Sequence, residues 1–190
     1  MSINVNNPVT EAILKRRTIR GYKDTPLSRE VLEKLLECAM WAPSGRNSQP
    51  FHIRVIADKK ALDALDRDFW DKVGRGTPAY TKCDVNPVYQ GAPALFLIYC
   101  PTEDAMNSGI AVENIAIAAE GMGLGSCIIA SVGSLLKAEE GNKWKKIVGI
   151  PEDFVFNIAI AVGEKDEEPA PKERKPENFR IVEEFDYDAL

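Results

Sequence analysis

The sequence predicts one α+β domain, with helices flanking a mixed sheet and an extended arm at the C-terminal end. Two kinds of apolar pattern alternate along the chain. Val31, Leu32, Leu35, Leu36, Ala39 and Met40 recur at helical spacing, whereas residues 94–100 form an uninterrupted apolar run of strand length. No segment repeats, and no second core is marked out. From Glu164 onward the chain turns charged and proline-rich, so residues 164–190 of the 1–190 domain read as an arm. A chain of 190 residues can bury a sizeable core, and 45% hydrophobic with 28% charged residues is an ordinary globular composition.

Each element has a local reason. Asn7-Pro8 supplies an N-cap and a proline at the first helical position, and Val9, Ala12 and Ile13 follow at helical spacing into Lys15-Arg16-Arg17. Ser28 starts a second helix, whose apolar stripe stops before Pro43. After a polar turn, Phe51, Ile53 and Val55 alternate with His52 and Arg54, the pattern of a half-buried strand. Asp58 caps a helix carrying Leu62, Leu65, Phe69 and Val73. Residues 74–91 have no clear period and read as a long surface excursion, of the kind that serves as a lid. Residues 94–100 suit a central strand covered on both faces. Residues 106–123, rich in Ala, Gly and Ile almost all round, suit a helix buried on most sides. Residues 127–130 form a short strand, a weak helix ends near Ile147, and residues 154–162 form the last core strand beyond the break at Pro151.

Charge and composition exclude several functions. A net charge of -5 gives no global attraction to nucleic acid or to an anionic membrane, so any bound anion needs a local basic cluster. Four cysteines without metal-ligand spacing, and a single histidine, argue against a metal site. Neither a signal-peptide core nor a membrane-spanning run is present, so the cytoplasm is the expected location.

Four segments carry chemistry. In a helical frame Arg16 and Arg20 lie on one face, and with Thr18 they would suit a phosphate. The competing explanation is that cations in a helix's last turn merely complement its dipole. Residues 42–50, with Pro43, Ser44, Gly45 and Asn47, offer hydroxyl, amide and backbone groups for a heteroaromatic ring, or simply punctuate a helix-to-strand turn. Gly121-Met122-Gly123-Leu124-Gly125-Ser126 is not a dinucleotide fingerprint, because its glycines follow a helix and precede a strand. They end the helix and let the next strand pack closely. Lys172 and Arg174 stand out in an acidic tail, although in isolation they read as solvated charge. His52 has no partners for acid–base work, and no acidic pair is singled out.

The order of these segments is more specific than any one of them. RRTIR, then APSGRNSQPF, then AAEGMGLGS, then a tail led by Gly163 with PKERKP, resembles the FMN-binding nitroreductase family from about Glu11 to Pro176. The resemblance implies a three-layer α+β sandwich with a mainly antiparallel sheet, an intimate homodimer, and FMN at the subunit boundary. It assigns the FMN phosphate and ribityl groups to Arg16, Thr18, Lys172 and Arg174. Arg17 matches a contact to the ring or its side chain. Arg20 matches a basic position beside N1 and O2, where a cation stabilises reduced flavin. Pro43, Ser44, Gly45 and Asn47 would come from the other subunit, and Ala130 with Ser131 would lie near the ring's reactive edge. The implied activity is electron transfer from NAD(P)H, through flavin N5, to nitroaromatic or quinone acceptors by a ping-pong mechanism, with no dedicated catalytic side chain. Alternatives are a dehalogenating or flavin-degrading relative, or a flavin-binding dimer without turnover.

Overall fold

Four helices begin where a polar side chain replaces the missing backbone partner of the first turn. In the computed structural model, which describes residues 3–76 and 87–183, α1 (Pro8–Lys15) starts from a reciprocal cap. The Asn7 side chain accepts from the amides of Val9 and Thr10, and the Thr10 hydroxyl accepts from the Asn7 amide. Ser28 caps α2 (Arg29–Met40) through the Val31 amide, and Asp58 caps α3 (Lys59–Val73) through that of Ala61. Asp104 caps α4 (Ala105–Gly121) through the Asn107 amide. Among the described residues, two short helices, α5 (Gly133–Leu136) and α6 (Asn142–Ile147), complete the set.

The strands are β1 (His52–Ile56), β2 (Ala94–Cys100), β3 (Leu124–Ile129) and β4 (Val155–Glu164), in the spatial order β1-β2-β4-β3. Every neighbouring pair is antiparallel. The parallel component expected of a mixed sheet is confined, among the described residues, to one isolated bridge between Thr18 and Ser126.

The sheet is the middle of three layers. On β2, Leu95, Leu97 and Tyr99 pack with Leu62, Leu65 and Phe69 of α3. The alternate residues Phe96 and Ile98 pack with Leu35 of α2 and Ile115 of α4. All of β2 is buried, as a strand covered on both faces should be. Burying one such leucine contributes about 1.5–3 kcal/mol, so the two cores dominate stability. Small residues on α4, Ala111, Ala116 and Ala119, are buried and bring that helix close to the sheet. Between β2 and β4 the register shifts: Ile98 faces Ile158 and Tyr99 faces Phe156, which leaves Asn157 over as a bulge.

Residues 77–86, the middle of the expected surface excursion, lie outside the described residues. Its far end turns partly inward before Gly91 returns to the surface. Val88 and Tyr89 are buried, the Val88 amide donates to Asp66, and the Tyr89 hydroxyl donates to Asp63 at 2.6 Å. Beyond Lys165 the arm is exposed as far as residue 183, with one short 3-10 turn at Pro176–Asn178. Among the described residues, no helix is long and apolar enough to cross a membrane.

Candidate functional site

The basic segment after α1 is extended and not helical, which corrects the expectation that Arg16 and Arg20 share a helix face. Arg16 leaves the helix at φ -51° and ψ 132°. The chain then runs along the sheet, with Thr18 bridged to Ser126 and Tyr22 to Lys165. The Ile19 amide donates to the Ser126 carbonyl at 2.9 Å. Ile19 is 2% exposed and anchors the segment. Its seat is Gly125, where a Cβ would lie 2.8 Å from the Ile19 Cβ; Gly163, paired with Gly125 across β3 and β4, similarly adjoins Tyr22. Within the glycine-rich run it is thus Gly125 that serves packing, while Gly123 takes the left-handed φ of 77° that turns the chain out of α4. Tyr22 is tied down by donating its hydroxyl to the Ile19 carbonyl at 2.7 Å, and burial pushes its phenol far above the usual range.

The cations of this segment have different partners. Arg17 donates from Nη1 to the carbonyl oxygens of Leu14 and Arg16, both at 2.8 Å, and so satisfies the end of α1. Arg16 Nε lies 3.5 Å from Glu113 Oε1 of α4. Among the described residues, the Thr18 hydroxyl and the Arg20 guanidinium have no hydrogen-bond partner, while the Arg20 amide donates to the Glu167 carboxylate. Lys15, Arg17, Ile19, Lys165, Glu167 and Pro171 line a cavity of about 380 Å³. The arm therefore starts beside the basic segment. Lys172 and Arg174, next along, are exposed and have no ion pair or hydrogen bond among the described residues.

The polar turn between α2 and β1 is strained. Arg46, Asn47 and Gln49 have φ of 55°, 54° and 45°, the left-handed region that costs side-chain-bearing residues on the order of 1–3 kcal/mol each. Four hydrogen bonds hold it. Ser44 Oγ accepts from Gln49 N at 2.9 Å, the Ser44 and Gly45 carbonyls accept from Asn47 and Ser48, and Gly45 N donates to Asn107 Oδ1 at 3.1 Å. Pro43, Gly45 and Asn47 are exposed and Ser44 is half-buried. Among the described residues the side chains of Arg46, Asn47 and Ser48 have no hydrogen-bond partner. The segment is both a turn and a surface of unused donors and acceptors. Ala130 and Ser131 follow β3 and are exposed and half-buried; their carbonyls accept from Gly133 and Ser134 at the start of α5.

Both halves rest on α4, one through Asn107 and the other through Glu113. Six residues of α-helix place these anchors roughly 120° apart around the axis and about 9 Å along it. The basic segment and the polar turn are therefore anchored on different sides of α4. Sequence reasoning missed Asn107, Asp104, Asn157 and Glu113. Only Asp104 carried a local signal, as a capping residue ahead of an apolar helix.

The three-layer fold thus carries two separate donor sets, the basic segment after α1 and the polar turn before β1. The chain belongs to the Nitroreductase family, whose model matches residues 13–164. It is 31% identical over 153 residues to an Archaeoglobus fulgidus protein provisionally named NADH dehydrogenase/NAD(P)H nitroreductase, covering 80% of this chain and 82% of that one. A nitroreductase with bound FMN from Desulfitobacterium hafniense shares the fold at TM-score 0.86 and 21% identity, over 94% of this chain and all of that one. A second, from Bacteroides fragilis with bound FMN, gives TM-score 0.81 and 26% identity over 94% of this chain and 100% of that one.

Proposed function

We propose that this chain is an NAD(P)H-dependent flavin oxidoreductase, a cytoplasmic homodimer with FMN held where two copies meet. One observation supports the reading: the basic segment and the polar turn are anchored on different sides of α4, through Glu113 and Asn107, as two halves completed by a second copy would be. Beside them, α1 is amphipathic yet buries none of its residues, and Leu14 and Trp41 are 74% and 77% exposed. A second copy would cover that surface and bring complementary halves together. The free thiols of Cys38 and Cys100 suit a reducing compartment.

The donor set fits FMN. Arg16 and Thr18, with Lys172 and Arg174 brought in from the arm, would hold the phosphate and ribityl groups. Arg17 would turn from the α1 carbonyls toward the ring or its side chain. Arg20, whose guanidinium is free among the described residues, would place positive charge beside N1 and O2. Pro43, Ser44, Gly45 and Asn47 of the other chain would line the ring, and Ala130 and Ser131 its reactive edge. FMN held by these residues would supply a two-electron carrier between NAD(P)H and a nitroaromatic or quinone acceptor, used in two separate half-reactions. The protein's work is binding, orientation and charge, so no side chain need act as acid or base.

The purified protein should be yellow, elute as a dimer, and bleach when NAD(P)H is added without oxygen. A colourless monomer indifferent to added FMN would overturn the reading. The Arg16–Glu113 pair gives a finer check. Glu113 is more than a third exposed, so the pair is screened and worth about 0.2–1 kcal/mol. Glu113→Gln frees Arg16 for the phosphate, and FMN should then bind up to about fivefold more tightly in a low-salt fluorescence titration. Weaker binding would instead make Glu113 a contributor to the site.

A further inference from the structure

We infer that Asn107 is a positioning residue that sets the polar turn's geometry through a relay beginning at the bulge in β4. The relay has three links. Asn157, the residue left over by the register shift, accepts the Asp104 amide on Oδ1 at 2.7 Å, and its Nδ2 donates to the carbonyls of Thr102 and Val155. Asp104 then binds Asn107 twice: Oδ1 accepts the Asn107 amide at 3.0 Å and Oδ2 accepts Asn107 Nδ2 at 2.7 Å. Asn107 Oδ1 finally accepts Gly45 N at 3.1 Å, across 62 residues of sequence.

Chemistry fixes the direction of this relay. A carboxylate only accepts, so the Asn107 amide must turn its nitrogen to Asp104 and its oxygen to Gly45. Asn107 is 7% exposed, and a polar side chain so buried persists where its bonds are satisfied. The amide it holds opens the turn in which Arg46, Asn47 and Gln49 take left-handed backbone. The sheet thus dictates where this strained turn starts. The inference rests on the reading that the turn lines the flavin ring of the other subunit.

Two measurements on the full-length protein separate the inference from that reading. The first is hydrogen exchange at the Gly45 amide, which needs no flavin. Asn107→Ala should accelerate it about tenfold, as expected for one lost hydrogen bond. Unchanged exchange overturns the inference whether or not FMN binds. The second is FMN affinity together with the visible circular dichroism of the bound flavin. Asn107→Ala should weaken binding by about tenfold and alter the flavin bands, beyond any fall in Tm. Asn107→Asp alone sets two carboxylates face to face and should do the same. Combining Asp104→Asn with Asn107→Asp lets donor and acceptor trade places, keeps a good N-cap, and should restore both readouts to within about threefold. A doubly substituted protein that folds with native Tm yet stays defective overturns the relay. If the wild type takes up no FMN, the functional reading fails while the exchange result still decides the relay.

Discussion

Replacing Arg16 with alanine is expected to strip FMN from the protein and leave it folded. The side chain lies beyond α1 on an extended stretch and does not belong to either core. Its ion pair with Glu113, at 3.5 Å, involves a carboxylate that water can solvate once the arginine is gone. Tm should therefore move little, because a substitution outside the core and its networks changes stability by about 0.5 kcal/mol or less. Cofactor retention should respond far more. A hydrogen bond to a charged group contributes about 1.5–3 kcal/mol, which corresponds to a dissociation constant raised roughly ten- to 150-fold. The ratio of flavin to protein absorbance after purification, and a titration of the apoprotein with FMN, measure the effect. Arg16→Lys keeps the charge and loses the planar fork, so it should fall between the two. An Arg16→Ala protein with full flavin content and unaltered affinity removes Arg16 from the phosphate site.

What the sequence reveals divides by how locally each feature is determined. Asn7, Ser28 and Asp58 are legible because a cap involves residues two or three apart. β2 is legible because burial on both faces leaves an uninterrupted apolar run. The start of β3 at Leu124 is not, since Gly125 and Ser126 have little strand character and pair only because β4 lies alongside. The path of Arg16–Arg20 is likewise set from afar. Nothing local separates a last helical turn from an extended strand, and the decision is made by Ile19 against Gly125. Val88 and Tyr89 sit in a stretch of turn-forming residues, and what draws them inward is Asp63 and Asp66 of α3. In the site, the order of the motifs and their residue types were readable. The contacts were not: Arg17 serves the end of α1, and Asn107 reaches Gly45 without any pattern in its own neighbourhood to name that partner.

Because tertiary packing sets the basic segment's path, one methyl group at Gly125 should disturb fold and site together. A Cβ there would lie 2.8 Å from Cβ and Cγ1 and 2.9 Å from Cγ2 of Ile19, too close for any carbon pair. Ile19 is enclosed, and its amide is tied to Ser126, so it has no free space to enter. The segment must lift from β3, loosening the Thr18–Ser126 bridge. Overpacking of this kind costs about 1–3 kcal/mol. For a protein of this size each kcal/mol lowers Tm by roughly 2–4 °C, so Gly125→Ala should melt about 2–12 °C lower. It should also bind FMN more weakly, since Arg16, Thr18 and Arg20 move with the segment. Gly121→Ala is the control: no atom lies within 4 Å of its Cβ position at the end of α4, and alanine there should leave stability equal or raise it by up to about 1 kcal/mol. A Gly125→Ala protein with unchanged Tm and flavin content would show that the basic segment does not lie on β3, and the assignment of its cations to the phosphate would lose its geometric support.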